Sequence, residues 1–411
     1  MTMRDPGDDH RAATPLELLF DLTVVVAVSF AAVALHHNLS EGHLILGPLS
    51  FLVTFFGLWW AWMNFTWFAT AFDTDDWLYR IATIVQMGGA LTFAAGIPAA
   101  MNLADPSYTL CIIGYVIMRL PMAFQWFRAA HDDRSRRTTA LFYGWGVLIV
   151  QTYWLLLLLI PTEWVLPTFA LGAILELLVP VVAERSGVTA RHPHHITERY
   201  GLFTLIVLGE SILASTNAVV EAGTSAEHLA GLILLAATSL VIIAAFWWLY
   251  FALPQHELLT DDRTALRWGY GHFLIFAAAA ALSAGIELTI DQNEGHSDLT
   301  TIATGAMVAL PAAVFVLVVW FLVLRPFSSR RVNVITPILA GLIAASSLAP
   351  FSLQIVAVLL VITVIVVVTG HDEAYEHPPV RSTAAMPADT SASEQPMNGQ
   401  RTRARSEPTE T

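Results

Sequence analysis

The apolar residues of this chain are gathered into blocks of about twenty, the length an α-helix needs to cross a hydrocarbon layer about 30 Å thick. Lipid offers no water to satisfy backbone N–H and C=O groups, so unbroken apolar blocks of this kind must close their hydrogen bonds internally, as helices. Read against turn residues and charges, the blocks predict spans over 15–36, 49–71, 78–101, 108–128, 139–160, 164–184, 196–219, 228–252, 267–290, 300–324, 333–349 and 351–369. The expected fold class is an all-α polytopic membrane protein with about twelve transmembrane helices. The composition agrees, with 56% hydrophobic and only 13% charged residues.

The basic residues test this count independently, because Lys and Arg concentrate in cytoplasmic connections. All 20 are Arg. Every one except Arg119 falls in or beside alternate connections: Arg4 and Arg11; Arg80; Arg128, Arg134, Arg136 and Arg137; Arg185, Arg191 and Arg199; Arg263 and Arg267; Arg325, Arg330 and Arg331; and the C-terminal tail. That pattern requires an even number of spans and puts both termini in the cytoplasm. Residues 1–14 are acidic without a small-residue cleavage site, so no removable signal peptide is expected and the segment reads as a disordered cytoplasmic N-terminus. Residues 371–411 are rich in Pro, Ser and Thr and read as a disordered cytoplasmic tail. A single cysteine, Cys111, excludes an internal disulfide and a Cys-based cluster and suits packing in the fourth span. The net charge of −13 lies in loops and tails and does not suit nucleic-acid binding.

Two stretches of the chain read alike. Trp59-Trp60, Thr74-Asp75-Asp76, Arg80, Gln86 and Gly96-Ile97 are answered in the same order, at nearly constant spacing, by Trp247-Trp248, Thr260-Asp261-Asp262, Arg267, His272 and Gly285-Ile286. Leu120-Pro121 and Leu310-Pro311 extend the match. This predicts a duplication of two six-helix halves, 15–184 and 185–370, with the same orientation because six is even. Glu17 then corresponds to Glu198.

An ionised side chain at the centre of a membrane helix costs roughly 2.5–3.5 kcal/mol, so polar residues within the spans should face protein or water. At about 1.5 Å of rise per residue, Asp21, Asn64, Gln86 and His272 fall in one inner layer. Arg119, Glu176 and Glu210 fall nearer the midplane. Arg119 could neutralise one carboxylate as a structural pair, leaving the other to exchange protons or bind a cation. Glu17 and Asp21 share a helical face that Ser29 continues. Glu17 lies in the first turn, where it complements the helix dipole; Asp21 is too deep for that and needs a hydrogen-bond partner, a proton or water. His194, His195 and Glu198 have ligand-like helical spacing, but no second cluster completes a metal site, and no metal or other cofactor is expected. An ion-pair network using Glu198, Arg199 and Asp73 or Asp76 is the competing reading. No phosphate-binding Gly-rich loop, GxSxG or HExxH is present.

The segments PLELLFDLTVVVAV, WWAWMNFTWFATAFDTDDWLYRIATIVQMGGAL, HITERYGLFTLIVLGESI and YGHFLIFAAAAALSAGIE together resemble the bacterial low temperature requirement protein A family, over roughly residues 14–369. The resemblance implies a multipass protein of the bacterial inner membrane and carries no settled biochemical activity. The matching residues are Glu17, Phe20, Asp21, Asn64, Asp73, Asp75, Asp76, Arg80, Gln86, His195, Glu198, Arg199, Glu210, Ser211, His272 and Glu287. Phe20-Asp21 is also similar to the pore-lining Phe-Ser-Asp of potassium channels built from six-helix repeats, although the middle residue is missing here and Gly201-Leu202-Phe203 supplies no second Asp. That likeness implies a conduit.

The leading functional expectation is translocation of an ion or small solute between the halves. Asp21 and Glu210 would meet a cation or proton, Arg119 would compensate charge, and Asn64, Gln86 and His272 would supply hydrogen bonds. A different class is an intramembrane enzyme acting on lipid headgroups through Asp73, Asp75, Asp76, His195 and Glu198. A third is a membrane scaffold whose buried charges only join helices. Expected partners are membrane lipids, a small ion or solute and, as an open possibility, a second copy of the chain.

Overall fold

The computed structural model describes residues 2–3, 12–221 and 226–376. Twelve long helices follow one another: α1 (Pro15–Ser40), α2 (Leu46–Ala71), α3 (Trp77–Ala100), α4 (Thr109–Asp132), α5 (Arg137–Leu157), α6 (Val165–Ala183), α7 (Pro193–Glu221), α8 (Ala226–Tyr250), α9 (Asp262–Asn293), α10 (Thr301–Val319), α11 (Arg330–Ala345) and α12 (Ser352–Glu376). Among the described residues 11 helices are long and apolar enough to cross a membrane. The remaining one is α7, which carries His194, His195, Glu198, Arg199 and Glu210. Every expected span is met by a helix, and α12 runs past the expected end of the last span.

The N-terminal segment, expected to be disordered, is held at one point: β1 (Thr2–Met3) pairs antiparallel with β2 (Phe72–Asp73) between α2 and α3. Residues 4–11 and 377–411, the rest of the two expected disordered segments, lie largely outside the described residues.

The helix starts follow local chemistry. Thr14 and Glu17 form a capping box at α1, with Pro15 at the first helical turn. The two TDD motifs do the same work: Asp76 caps α3 by accepting from Tyr79 N, and Asp261 caps α9 by accepting from Thr264 N. Two matched glycines let backbones touch. A Cβ at Gly96 would collide with the backbone nitrogen of Cys111 on α4, and one at Gly285 with the carbonyl of Met307 on α10. Cys111 is buried in this packing, its Sγ 3.6 Å from Phe93 O.

Helix neighbours recur along the chain. α1 packs on α2 and α3, α3 on α4, α4 on α5 and α5 on α6; α7 packs on α8 and α9, α9 on α10, α10 on α11 and α11 on α12. The two sets meet where α1 lies against α7 and α9, with α2 beside them. Large apolar side chains such as Leu19, Phe30, Ile149, Leu178 and Ile338 are exposed on the outside of the bundle, as a lipid-facing surface requires.

Candidate functional site

Two buried charge clusters organise the interior, and they are built differently. The first joins α1 to α7. Asp21 accepts from Trp62 Nε1 at 2.7 Å and from Arg199 Nη2 and Nε at 2.5 and 3.1 Å. Glu17 lies 3.7 Å from Arg199 Nη1 and 3.4 Å from His195 Nε2, and His195 Nδ1 meets Thr70 Oγ1 at 2.8 Å. Glu17, Asp21, His195 and Arg199 are all buried. Glu17 therefore does more than complement a helix dipole, although its capping bond to Thr14 N is present at 2.7 Å. Asp21 obtains the partner its depth demanded in Arg199, with Trp62 beside it.

The expected inner layer is not a single hydrogen-bonded set. His272 donates from Nδ1 to Trp268 O at 2.7 Å, since a carbonyl only accepts, and its Nε2 meets Tyr250 OH at 3.0 Å. Asn64 turns back to Trp60 O at 2.8 Å. Gln86 is buried, with Nε2 unpaired among the described residues. Asn64 and His272 bond groups on their own or an adjacent helix, and neither is bonded to Asp21. Tyr200 fills the space instead, packed against both Trp62 and His272 with ring centroids 4.8 and 4.9 Å away.

The second cluster surrounds Glu176 on α6. Its Oε1 accepts from Tyr115 OH at 2.7 Å, Gln151 Nε2 at 3.2 Å and Trp154 Nε1 at 3.2 Å. Its Oε2 accepts from Trp60 Nε1 at 2.9 Å and Arg119 Nη2 at 3.0 Å. All six side chains are buried. Arg119 thus neutralises Glu176 alone. Glu210, expected beside them, lies half-buried on α7 and accepts from Ser29 Oγ on α1.

The acidic residues at the arginine-rich end also disperse. Asp75 pairs with Arg80 at 2.6 Å, and Asp76 pairs with Arg128 of α4. Burial alone would raise the Asp76 carboxyl, but the Arg128 and Tyr79 hydrogen bonds bring it below its usual value. Asp73 enters through its backbone, in the short β pair. His195 is turned inward to Glu17, whereas exposed His194 stacks on His256 at 3.9 Å. Asp75, Asp76 and His195 thus pair with Arg80, Arg128 and Glu17 in turn, and Arg199 turns to Asp21 rather than to Asp76; the Asp73 side chain lies outside the described residues. Among the described residues, no three His, Cys, Asp or Glu side chains are grouped to hold a metal.

What the sequence did not reveal is the space on either side of Glu176. Toward the arginine-rich end, a chamber of 660 Å³ opens between α2, α6 and α9, lined by Trp60, Asn64, Trp126, Tyr143, Glu184 and Tyr270 among others. Toward the opposite end, an apolar chamber of 70 Å³ lies between α2, α4, α5 and α6, lined by Phe56, Cys111, Tyr115, Trp154 and Phe169 among others. Trp60 borders the first chamber, while Tyr115 and Trp154 border the second, and all three donate to Glu176. Phe56 stacks on Trp60 and meets Phe169 edge-on, closing the layer between the chambers.

The family model for the bacterial low temperature requirement A protein matches residues 12–369, from the capped start of α1 into α12. The chain belongs to the low temperature requirement A family. An uncharacterized protein of Rhizobium meliloti (strain 1021) is 23% identical over 310 residues, covering 70% of this chain and 72% of its own length. Family membership and the apolar helices together make this a multipass membrane protein. Both chambers and both buried clusters lie within the matched region.

Proposed function

We propose that this low temperature requirement A protein moves a small solute or ion across the bacterial inner membrane along the seam between α2 and α6, with Glu176 as the midway site. The observation that carries the reading is the stacking of two chambers on opposite sides of one buried, five-donor carboxylate. Substrate sites near the midplane, closed from each side by a thin layer, are the working arrangement of many transporters. Both Asp21 oxygens are taken by Arg199 and Trp62, and both His272 nitrogens by Trp268 O and Tyr250 OH, so these groups serve to join helices. The larger chamber is lined from both expected halves, by α2, α4, α5 and α6 and by α9. Matched caps at Asp76 and Asp261 and matched close approaches at Gly96 and Gly285 support a parallel duplication, with the arginine-rich end in the cytoplasm.

The test is flux into proteoliposomes under an imposed pH gradient, with a panel of monovalent cations and small anions as probes. Wild type should exceed protein-free vesicles. Glu176→Gln should lose about tenfold or more of that flux, a change of at least one barrier unit of about 1.4 kcal/mol, and folded Asp21→Asn should keep it. Flux indifferent to Glu176→Gln, or no wild-type flux with any probe, overturns the reading.

A further inference from the structure

The five donors around Glu176 come from α2, α4 and α5, whereas the carboxylate itself comes from α6, the helix that stands off α2 and α4. We infer that these donors form a receptor for a small organic monocarboxylate with an apolar body, and that Glu176 is a tethered occupant the ligand displaces. This rests on the translocation reading for its role in transport, but the receptor itself stands on geometry alone.

The donors are divided between two oxygens: Tyr115, Gln151 and Trp154 meet Oε1, and Trp60 and Arg119 meet Oε2. Two oxygens in one plane are what a carboxylate presents. A doubly charged tetrahedral oxyanion would bring a second negative charge that the single Arg119 guanidinium does not balance. Arg119 supports an anionic ligand with a second observation: it is buried, and its Nε and Nη1 are unpaired among the described residues. Those N–H groups have unused capacity for an acceptor. The body of the ligand is set by the walls. The far chamber is apolar and holds 70 Å³, room for a short alkyl or a ring, whereas the larger chamber has aromatic walls at Trp60, Trp126, Tyr143 and Tyr270 but also carries Glu184, Arg185, Arg191, Asp262 and Arg263, so the apolar body belongs in the far chamber.

One guanidinium faces one carboxylate, and two carboxylates against Arg119 would leave a buried charge unpaired. The ligand and Glu176 therefore exclude one another at Arg119: Glu176 turns out of the layer as the ligand carboxylate arrives, and the layer keeps one anion.

The experiment uses purified full-length protein in detergent, with propionate and benzoate as probes and propylammonium and sulfate as controls at matched ionic strength. Glu176→Ala should bind propionate about tenfold more tightly than wild type by calorimetry, with a change in tryptophan fluorescence from Trp60 and Trp154. Adding Arg119→Gln to Glu176→Ala should abolish that binding. If Glu176→Ala is not recovered folded, wild type decides: benzoate should bind it by calorimetry with the same fluorescence change, and propylammonium should not. No carboxylate binding in any of these, or an equal response to propylammonium or sulfate, overturns the receptor. Carboxylate binding without Glu176-dependent flux in vesicles leaves the receptor standing and overturns translocation. Glu176-dependent cation flux without carboxylate binding does the reverse.

Discussion

The sixth and twelfth helices end the two stretches of chain that read alike, yet they are held in opposite ways. α12 packs on α8, α10 and α11, and Val356, Leu360 and Thr363 are fully buried along it. α6 packs closely on α5, and only 22% of its apolar stretch is buried, against 39% for α12. What joins α6 to α2 and α4 is chiefly polar: Glu176, with Phe169 set against Phe56. α12 is fixed by packing against three helices, whereas α6, packed on α5, would part from α2 and α4 once its carboxylate is satisfied elsewhere. The Trp pairs show the same divergence. Trp59 and Trp60 are buried in α2, while Trp247 and Trp248 are exposed on α8.

The comparison would break first at Arg119. Arg119→Gln removes the cation facing Glu176 and leaves a buried carboxylate, a change expected to cost about 3–5 kcal/mol. Thermal unfolding should show the loss, and hydrogen exchange should rise in α6 while α12 stays protected. Equal protection of both helices would mean that α6 has other anchors. A packing pair sharpens the contrast at smaller scale. Leu360→Ala on α12 should cost about 1–2 kcal/mol, because in lipid the transfer term largely drops out and the packing loss remains. Leu178→Ala on α6, where the side chain is exposed, should be close to neutral in the same melt.

The smallest effect separates the outer connections from the interior. Asp76 is lowered in the folded state, so its contribution is present above the unfolded carboxylate value of about 3.9 and is lost as pH falls through the folded value. Its side chain is 43% exposed, so solvent screens the pair with Arg128 and Asp76→Asn should cost only about 0.5 kcal/mol at neutral pH. Melts of wild type and variant should converge as pH drops below about 4. A gap that persists there would assign the effect to the α3 cap alone.

Much of this was legible in the chain because its rules are local. Apolar block length defined the helices, and the TDD motifs mark two of their starts, where Asp76 and Asp261 are the caps. Asp21, which the depth argument left needing a partner, pairs with Arg199, and Arg119, put at one depth with Glu176 and Glu210, pairs with Glu176. Depth failed where it had to become direction. Asn64 and Asp21 were assigned to one layer, but Asn64 borders the larger chamber while Trp62 of the same helix reaches Asp21. Glu210 was ranked above Glu176, yet Glu176 gathers five donors and Glu210 meets Ser29. Gln151, Trp154 and Tyr115 gave no signal at all, since a lone Gln, Trp or Tyr in an apolar run is ordinary.

The amino-acid sequence by itself determined that this chain is a bundle of membrane-length helices, because backbone hydrogen bonding in lipid and the length of each apolar block leave no other solution. Only the tertiary structure decided which buried charges meet and where space remains. Both depend on how each helix is rotated about its axis and how far it stands from its neighbours, and those are set by packing among all the helices at once.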